Sequence, residues 1–441
     1  MCRLAARRTP GSCGAIEGVK DMKVNLPYGR GSVEVKVPDG ATVAYPRELS
    51  KVGDVGAEIR RALGAPIGSP PLRKVAAGKR DAVVVVNDIT RPAPSRQMLE
   101  AILEELRFAG IAETAVTVVI STGNHRPNTP DEIAGMIGED LARRLRVFNH
   151  ACEDVDALTA IAAPGVDIPI RINIHVARAS VRILTGLIAP HQAAGYSGGR
   201  KSLTPGVAAL ETIAKQHSFP IRPYDPAMGW MKGNPFHEVA VKVARTVGID
   251  FIVNVVKNCR GEVVHAVAGD LEAAHEAGVA VCEQSWAVTF PRKYDVVVVT
   301  PGGYPRDIDL HQAQKAMSTA ELVAADGGVI VLIAECADGI GKFAAWLKGA
   351  ASPQAVIDRF TREGFTREHS SKAFMCARAL AKHPVLASCS GIRKEDLEAM
   401  FFRHATAPQD AVNQALEMKG GNARVLILPY AVDCVPKIVS S

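Results

Sequence analysis

The chain has 441 residues, 47% of them hydrophobic and 22% charged, with a formal net charge of +6 at pH 7. That length exceeds what a single hydrophobic core organises, roughly 250 to 300 residues, and the composition is that of a folded globular protein rather than a disordered one. No apolar run reaches the roughly 18 residues of a membrane span and no Lys/Arg block marks a nucleic-acid surface, so membrane and nucleic acid are excluded as partners and the positive excess points to anionic small molecules.

The first 21 residues carry Arg3, Arg7 and Arg8 but lack the apolar stretch of a secretory signal, and are read as a disordered tail or a misassigned start. Nine scattered cysteines, none in a C-x-x-C pair, suit free thiols in a reducing cytoplasm, with neither disulfides nor a cysteine zinc site. Patterned sequence begins at Met22. VNLPY and SVEVKVP alternate about Gly29 and Gly31 and predict a β-hairpin over 23–45; a helix follows over 53–63. AVVVVND (82–88), AVTVVIST (115–122) and RILTGLI (182–188) are apolar strand-like runs, and SRQMLEAILEELRFAGI between the first two has helical spacing.

Continuous apolar strands alternating with helices indicate a buried parallel sheet, whose functional residues lie just past the strand C-termini. The helical stretch LEAAHEAGVAVCEQSWA (271–287) leads to a second such region from about residue 293, with KYDVVVVTPGG, GGVIVLIAEC and RVLILPY (424–430) as strands. The reading is therefore two α/β domains with mainly parallel sheets and an active-site cleft between them. Residues 22–285 form the first and hold the cofactor site, 290–430 the second with substrate-binding residues, and the tail 431–441 packs back on the first.

Polar clusters follow three of the strands: Asn87-Asp88-Ile89-Thr90-Arg91-Pro92, Thr122-Gly123-Asn124-His125-Arg126-Pro127, and Pro190-His191 leading into AGYSGGRKS. Singly, each has a plainer reading: Asp88 caps a turn, His125 bonds backbone, an X-Pro step ends a strand. GYSGGRKS approaches the phosphate-cradling pattern G-x-x-x-x-G-K-[ST] but puts Arg200 where the second glycine belongs. Its glycines and the charges of Arg200 and Lys201 still suit an anion or nucleotide cradle. His150, His237 and His265 are read as structural, and nothing in the sequence activates Cys336.

Taken together the motifs are specific. APHQAAGYSGGRKSLTPG resembles the signature of nickel-dependent lactate racemases and their 2-hydroxy-acid racemase and epimerase relatives, and NDITRPAPS, STGNHRP, KGNPFHE and DIDLHQAQKAM resemble further motifs of that family, over residues 22 to 430. The resemblance implies a nickel-pincer nucleotide, a pyridinium-3-thioamide-5-thiocarboxylic acid mononucleotide tethered to a lysine and holding Ni(II) by two sulfurs and a ring carbon. Lys201 matches the tether and His217 the nickel ligand, a donor set that suits this metal. Asp88, Ser197, Gly198, Gly199 and Arg200 would surround the cofactor.

In the chemistry so implied, His125 and His191 are the catalytic pair. One takes the hydroxyl proton as hydride leaves substrate C2, giving a 2-keto acid, and the other returns a proton once hydride comes back on the opposite face. Arg91, Gln312 and Lys315 match residues that hold the substrate carboxylate and carbonyl, which makes domain closure part of the cycle. His311 stands where the lactate enzymes carry an aromatic such as Tyr, and points to a larger or more polar 2-hydroxy acid or simply packs at the cleft edge. Cofactor-synthesis proteins are implied partners, and the oligomeric state is open, a homo-oligomer included. Two other readings compete: a P-loop-like phosphotransferase, and a non-catalytic nucleotide- or hydroxy-acid-binding protein that would not need His125, His191 and His217 together.

Overall fold

The computed structural model describes residues 21–218, 225–364 and 370–439. The expectation for residues 1–21 lies outside these, apart from Asp21, which opens the first strand.

Two six-stranded sheets organise the chain. In the first, the order is Val263–Gly269, Phe251–Lys257, Val181–Ile188, Ala82–Asn87, Val116–Ser121 and Arg146–Asn149, parallel throughout except for the antiparallel edge strand Val263–Gly269. The unbroken apolar run at 82–86 follows from this position. Val84 and Val86 pack with Leu99, Ile102 and Leu106 of the helix Ser95–Phe108, while Val83 and Val85 pack on the other face with Val243 and Ala244 of the helix Pro235–Val247. A strand covered on both faces has no polar side to alternate with.

The second sheet, ordered Arg403–His404, Val385–Cys389, Ala324–Ala334, Tyr294–Val299, Val425–Leu428 and Thr42–Val43, is parallel throughout. The α/β class with mainly parallel sheets is thus as expected. None of the helices among the described residues is long and apolar enough to cross a membrane.

One assignment is corrected. The hairpin Asp21–Tyr28 with Gly31–Pro38 forms, turning at Gly29 with φ +53, but it does not belong with the first sheet. Val24, Leu26, Val35 and Val37 share one face and pack on Val296, Val298 and Val331 of the second sheet, and Thr42–Val43 becomes that sheet's edge strand. Alternation fixes which side chains share a face; it carries no information about which distant sheet that face covers. The chain crosses between the halves again at its end, where Val435–Ile438 pairs in parallel with Ala287–Phe290, directly after the helix Ala273–Trp286.

Leu26 is fully buried in this contact. Leu26→Ala is expected to cost about 2 to 5 kcal/mol of unfolding free energy, whereas Lys23→Ala, which removes an exposed ion pair with Glu34, should shift it by less than about 0.5 kcal/mol. Urea denaturation measures both, and equal midpoints would contradict the docking of the hairpin on the second sheet.

Candidate active site

Three neighbouring parallel strands, Val181–Ile188, Ala82–Asn87 and Val116–Ser121, end side by side, and the polar clusters singled out in the sequence leave from those ends. Between them lies a cavity of about 110 Å³ whose walls include Asp88, Arg91, His125, Ser197, Gly198 and Lys201. This is the crevice outside the carboxyl ends of an open α/β sheet, where ligands of such folds bind.

Asp88 is buried and its Oδ2 lies 2.7 Å from His125 Nδ1; its Oδ1 accepts a 2.9 Å hydrogen bond from the Thr90 hydroxyl. The carboxylate therefore orients the imidazole, and with the Ile89 amide donating to Asn128 Oδ1 it ties the two loops together. Just past the strand Val181–Ile188, and outside the residues that wall this cavity, His191 Nδ1 accepts hydrogen bonds from the backbone N–H groups of Ala193 and Ala194, each 3.1 Å long. Burial, with the charges of Lys201, Lys372 and Arg91, holds His191 well below the usual histidine range. It is neutral at physiological pH.

Lys201 sits in a short 3-10 turn, Gly199–Ser202, with its ammonium over the Phe236 ring at 5.4 Å from the centroid. Burial first, then Arg91 and Arg200, push its amine down to about 7. A half-deprotonated amine at neutral pH is a nucleophile, as a covalent tether requires. His217 ends the helix Leu210–Gln216, and its ring meets the edge of Phe236 at 4.9 Å. Its Nδ1 donates to the Ile213 carbonyl at 2.8 Å, so the lone pair is on Nε2, the arrangement seen in metal-bound imidazoles.

From the second half of the chain come Gln312 and Lys315, whose side chains hydrogen-bond to each other on the loop and helices that follow Tyr294–Val299. Asp309 caps the first of these helices through the Gln312 amide at 2.7 Å. Burial and then the charge of Arg91 lower the Lys315 amine to about 8. His311 packs against Phe343, with ring centroids 6.0 Å apart.

Two sequence-predicted cradle residues are not on the cavity wall. Arg200 is only 1% exposed and is turned into the interior, where its guanidinium donates to the carbonyls of Gly198 and Ala194. The Gly199 amide is committed to Asn254 Oδ1 at 2.7 Å. Successive residues of a 3-10 turn point about 120° apart, so Arg200 and Lys201 cannot face the same side. Ser197 lines the cavity, but its hydroxyl fastens the loop to the strand end, donating to the Leu187 carbonyl and accepting from the Ala189 amide. The P-loop reading fails locally as well: the turn opens no helix, and the next one starts only at Leu210.

Phe236 was missed as a site residue. It lies within ring-contact range of His191, His217 and Lys201, yet in KGNPFHE it looks like any core aromatic. The neighbouring His237, read as structural, is half-buried with its Nδ1 lacking a hydrogen-bond partner. His150 bonds the Ala208 carbonyl and is structural, as expected.

The residues present suit the implied cofactor: a depressed lysine amine, a histidine with its lone pair on Nε2, and a cavity walled by Asn87, Ser121 and Thr122 as polar contacts. Among the described residues no three His, Cys, Asp or Glu side chains converge on a metal-sized site. A metal at His217 would take its remaining donors from a bound group.

Fold and site together define a two-sheet α/β enzyme with histidines and cations converging on one cleft. Residues 28–228 match the model of the lactate racemase N-terminal domain and residues 290–436 that of the lactate racemase C-terminal domain. The lactate racemase of Thermoanaerobacterium thermosaccharolyticum is 32% identical over 426 residues, covering 93% of this chain and 98% of the relative; that of Lactiplantibacillus plantarum is 30% identical over 427 residues, covering 94% and 99%. The lactate racemase apoprotein structure from the former organism superposes with a TM-score of 0.88 at 31% identity, covering 94% of this chain and all of that one. A Thermotoga maritima protein at 17% identity, with a TM-score of 0.62, shares the fold, covering 87% of this chain and 98% of that one. The chain belongs to the lactate racemase family and is an isomerase of the racemase type.

The depressed amine gives a direct check. With a limiting amine-acylating reagent, Lys201 should label with a midpoint near pH 7, followed by peptide mass mapping. Arg91→Ala should move the midpoint upward, because a repelling cation has gone. A midpoint at the ordinary lysine value, about 10.4, would refute the burial assigned to this amine.

Proposed function

We propose that this protein inverts C2 of a small 2-hydroxy acid, using a nickel-pincer nucleotide attached to Lys201 and ligated through His217, with lactate as the first substrate to test. The observation that carries this reading is one cavity at the ends of three adjacent strands walled by the Asp88–His125 pair and Lys201, with His191 leaving the end of one of those strands and the family match spanning both halves of the chain.

The chemistry such a group supplies when bound is reversible hydride acceptance from the substrate carbon. The rest falls to the chain. Arg91 and Lys315 offer positive charge to one carboxylate, and Gln312 holds the Lys315 ammonium while presenting its own amide to the substrate oxygen. His125 and His191 exchange the hydroxyl proton on the two sides of C2. Asp88 fixes the His125 ring; Phe236 supports Lys201 and His217 from below. His311 precedes Gln312 in the same short helix and favours including malate, aryl-lactates and sugar acids among the substrates tried. We take the reaction to be cytoplasmic and to depend on separate cofactor-synthesis proteins.

Protein made together with those proteins and nickel should gain the mass of the nucleotide on wild type and none on Lys201→Ala. His125→Ala and His191→Ala should keep the increment and lose about 10² to 10⁴-fold in turnover, followed by chiral chromatography of each acid. No increment on wild type, or an equal one on Lys201→Ala, refutes the tether; full activity in either histidine variant refutes the proton-transfer pair.

A further inference from the structure

A neutral imidazole carries one ring proton, so the partner of one nitrogen dictates what the other can do. At His125 the Nδ1 partner is a carboxylate, Asp88 Oδ2 at 2.7 Å. A carboxylate only accepts, so the proton is on Nδ1 and the lone pair on Nε2. His217 has the same form for the same reason, its Nδ1 facing the Ile213 carbonyl.

His191 is the reverse. Its Nδ1 faces two backbone N–H groups, those of Ala193 and Ala194, at 3.1 Å each, and a backbone amide only donates. Nδ1 must offer its lone pair to them. The ring proton is then on Nε2.

We infer that the resting protein holds its two cleft histidines as an unlike pair, a proton acceptor at His125 Nε2 and a proton donor at His191 Nε2. The polarity is set by one carboxylate on one side and by the tight main-chain turn His191–Ala194 on the other. Ala193 and Ala194 are fully buried, so water does not replace those amides.

The use of this polarity rests on the racemase reading. In the first half-reaction the C2–H bond breaks with its electron pair passing to the hydride acceptor, the O–H proton goes to His125 Nε2, and C2–O becomes a carbonyl. In the second, hydrogen and electron pair return to the other face of C2 and the oxygen takes the proton from His191 Nε2. That leaves His191 anionic, which Arg91 and Lys372 offset; the latter donates at 2.9 Å to Gln192, the next residue in sequence. Neutral imidazole acting as a proton donor has precedent where nearby positive potential disfavours imidazolium. Afterwards His125 returns one proton to water and His191 takes one back, so nothing is consumed. The resting enzyme is therefore primed for the enantiomer whose hydroxyl faces His125.

Two measurements test this on the full chain. With ¹⁵N-histidine label, two-bond ¹H–¹⁵N correlation spectra at pH 7 should show one Nε2–H pattern that disappears in His191→Gln, and an Nδ1–H pattern that disappears in His125→Gln. His191 in the Nδ1–H or doubly protonated form overturns the inference. This readout needs no cofactor and no turnover, so it stands or falls apart from the proposed reaction. For loaded enzyme that racemises, mixing with each pure enantiomer should give first half-reaction rates that differ at least tenfold; equal rates overturn the functional use of the polarity. Absence of racemisation with the expected tautomers would refute the proposed reaction and leave the unlike pair standing.

Discussion

How closely the turn bearing Lys201 approaches the ends of the central strands decides the rest of the site. At Gly198 an added Cβ would lie 2.6 Å from Asn254 Oδ1, and at Gly206 2.3 Å from the Ser202 carbonyl oxygen. Because neither has a side chain, the Gly199 amide reaches Asn254 and the Ser202 hydroxyl reaches the Thr185 carbonyl, which sews the turn to two neighbouring strands. Lys201 is left facing the cavity, opposite the loop that carries Asp88 and Arg91. The close approach also strips water from the amine, the first cause of its lowered basicity.

That arrangement is costly by the usual standard of buried charge. Elsewhere the protein solves the problem by pairing: Arg378 and Glu321, both nearly inaccessible, meet at 2.8 Å. Lys201 instead feels the charges of Arg91 and Arg200, and Lys315 that of Arg91, offset in part by Asp309. Cations crowded by cations and held out of water are a stability defect that a bound anion removes. Arg200 shows the limit of the strategy. Buried and bonded to carbonyls, a histidine and the Met231 sulfur but to no carboxylate, it is pushed down to about 9, and its Nε has no partner.

The fold class was legible because strands covered on both faces leave a continuous apolar signature, as at 82–86 and 296–299, and because turn residues end each run. The candidate site was legible for the same geometric reason: polar residues directly after such strands must lie at one edge of the sheet. Two things were not. The hairpin's partner sheet depends on a contact nearly 300 residues away in sequence, which no local period encodes. Side-chain direction within the glycine turn escaped too, since GGRKS reads as a uniform basic cradle while the 3-10 geometry turns Arg200 inward and Lys201 outward. Phe236 stayed hidden because an aromatic that supports a site and one that fills a core have the same composition and spacing.

Phe236 is also where the two halves of the chain become one structure. With Ala193 and Ala194 it joins the same apolar cluster as Leu310, Ala313 and Met317, from the segment that presents Gln312 and Lys315. Gln192 adds a polar link there, donating to Ser318 at 3.1 Å while accepting from Lys372. Closely packed interiors transmit displacement rather than absorb it. The two helices that carry Gln312 and Lys315, Leu310–Ala313 and Lys315–Val323, therefore share one packed cluster with Phe236, whose ring meets His217 and Lys201, and with Ala193 and Ala194, whose amides hold His191, so that a displacement of either helix is transmitted toward all three side chains.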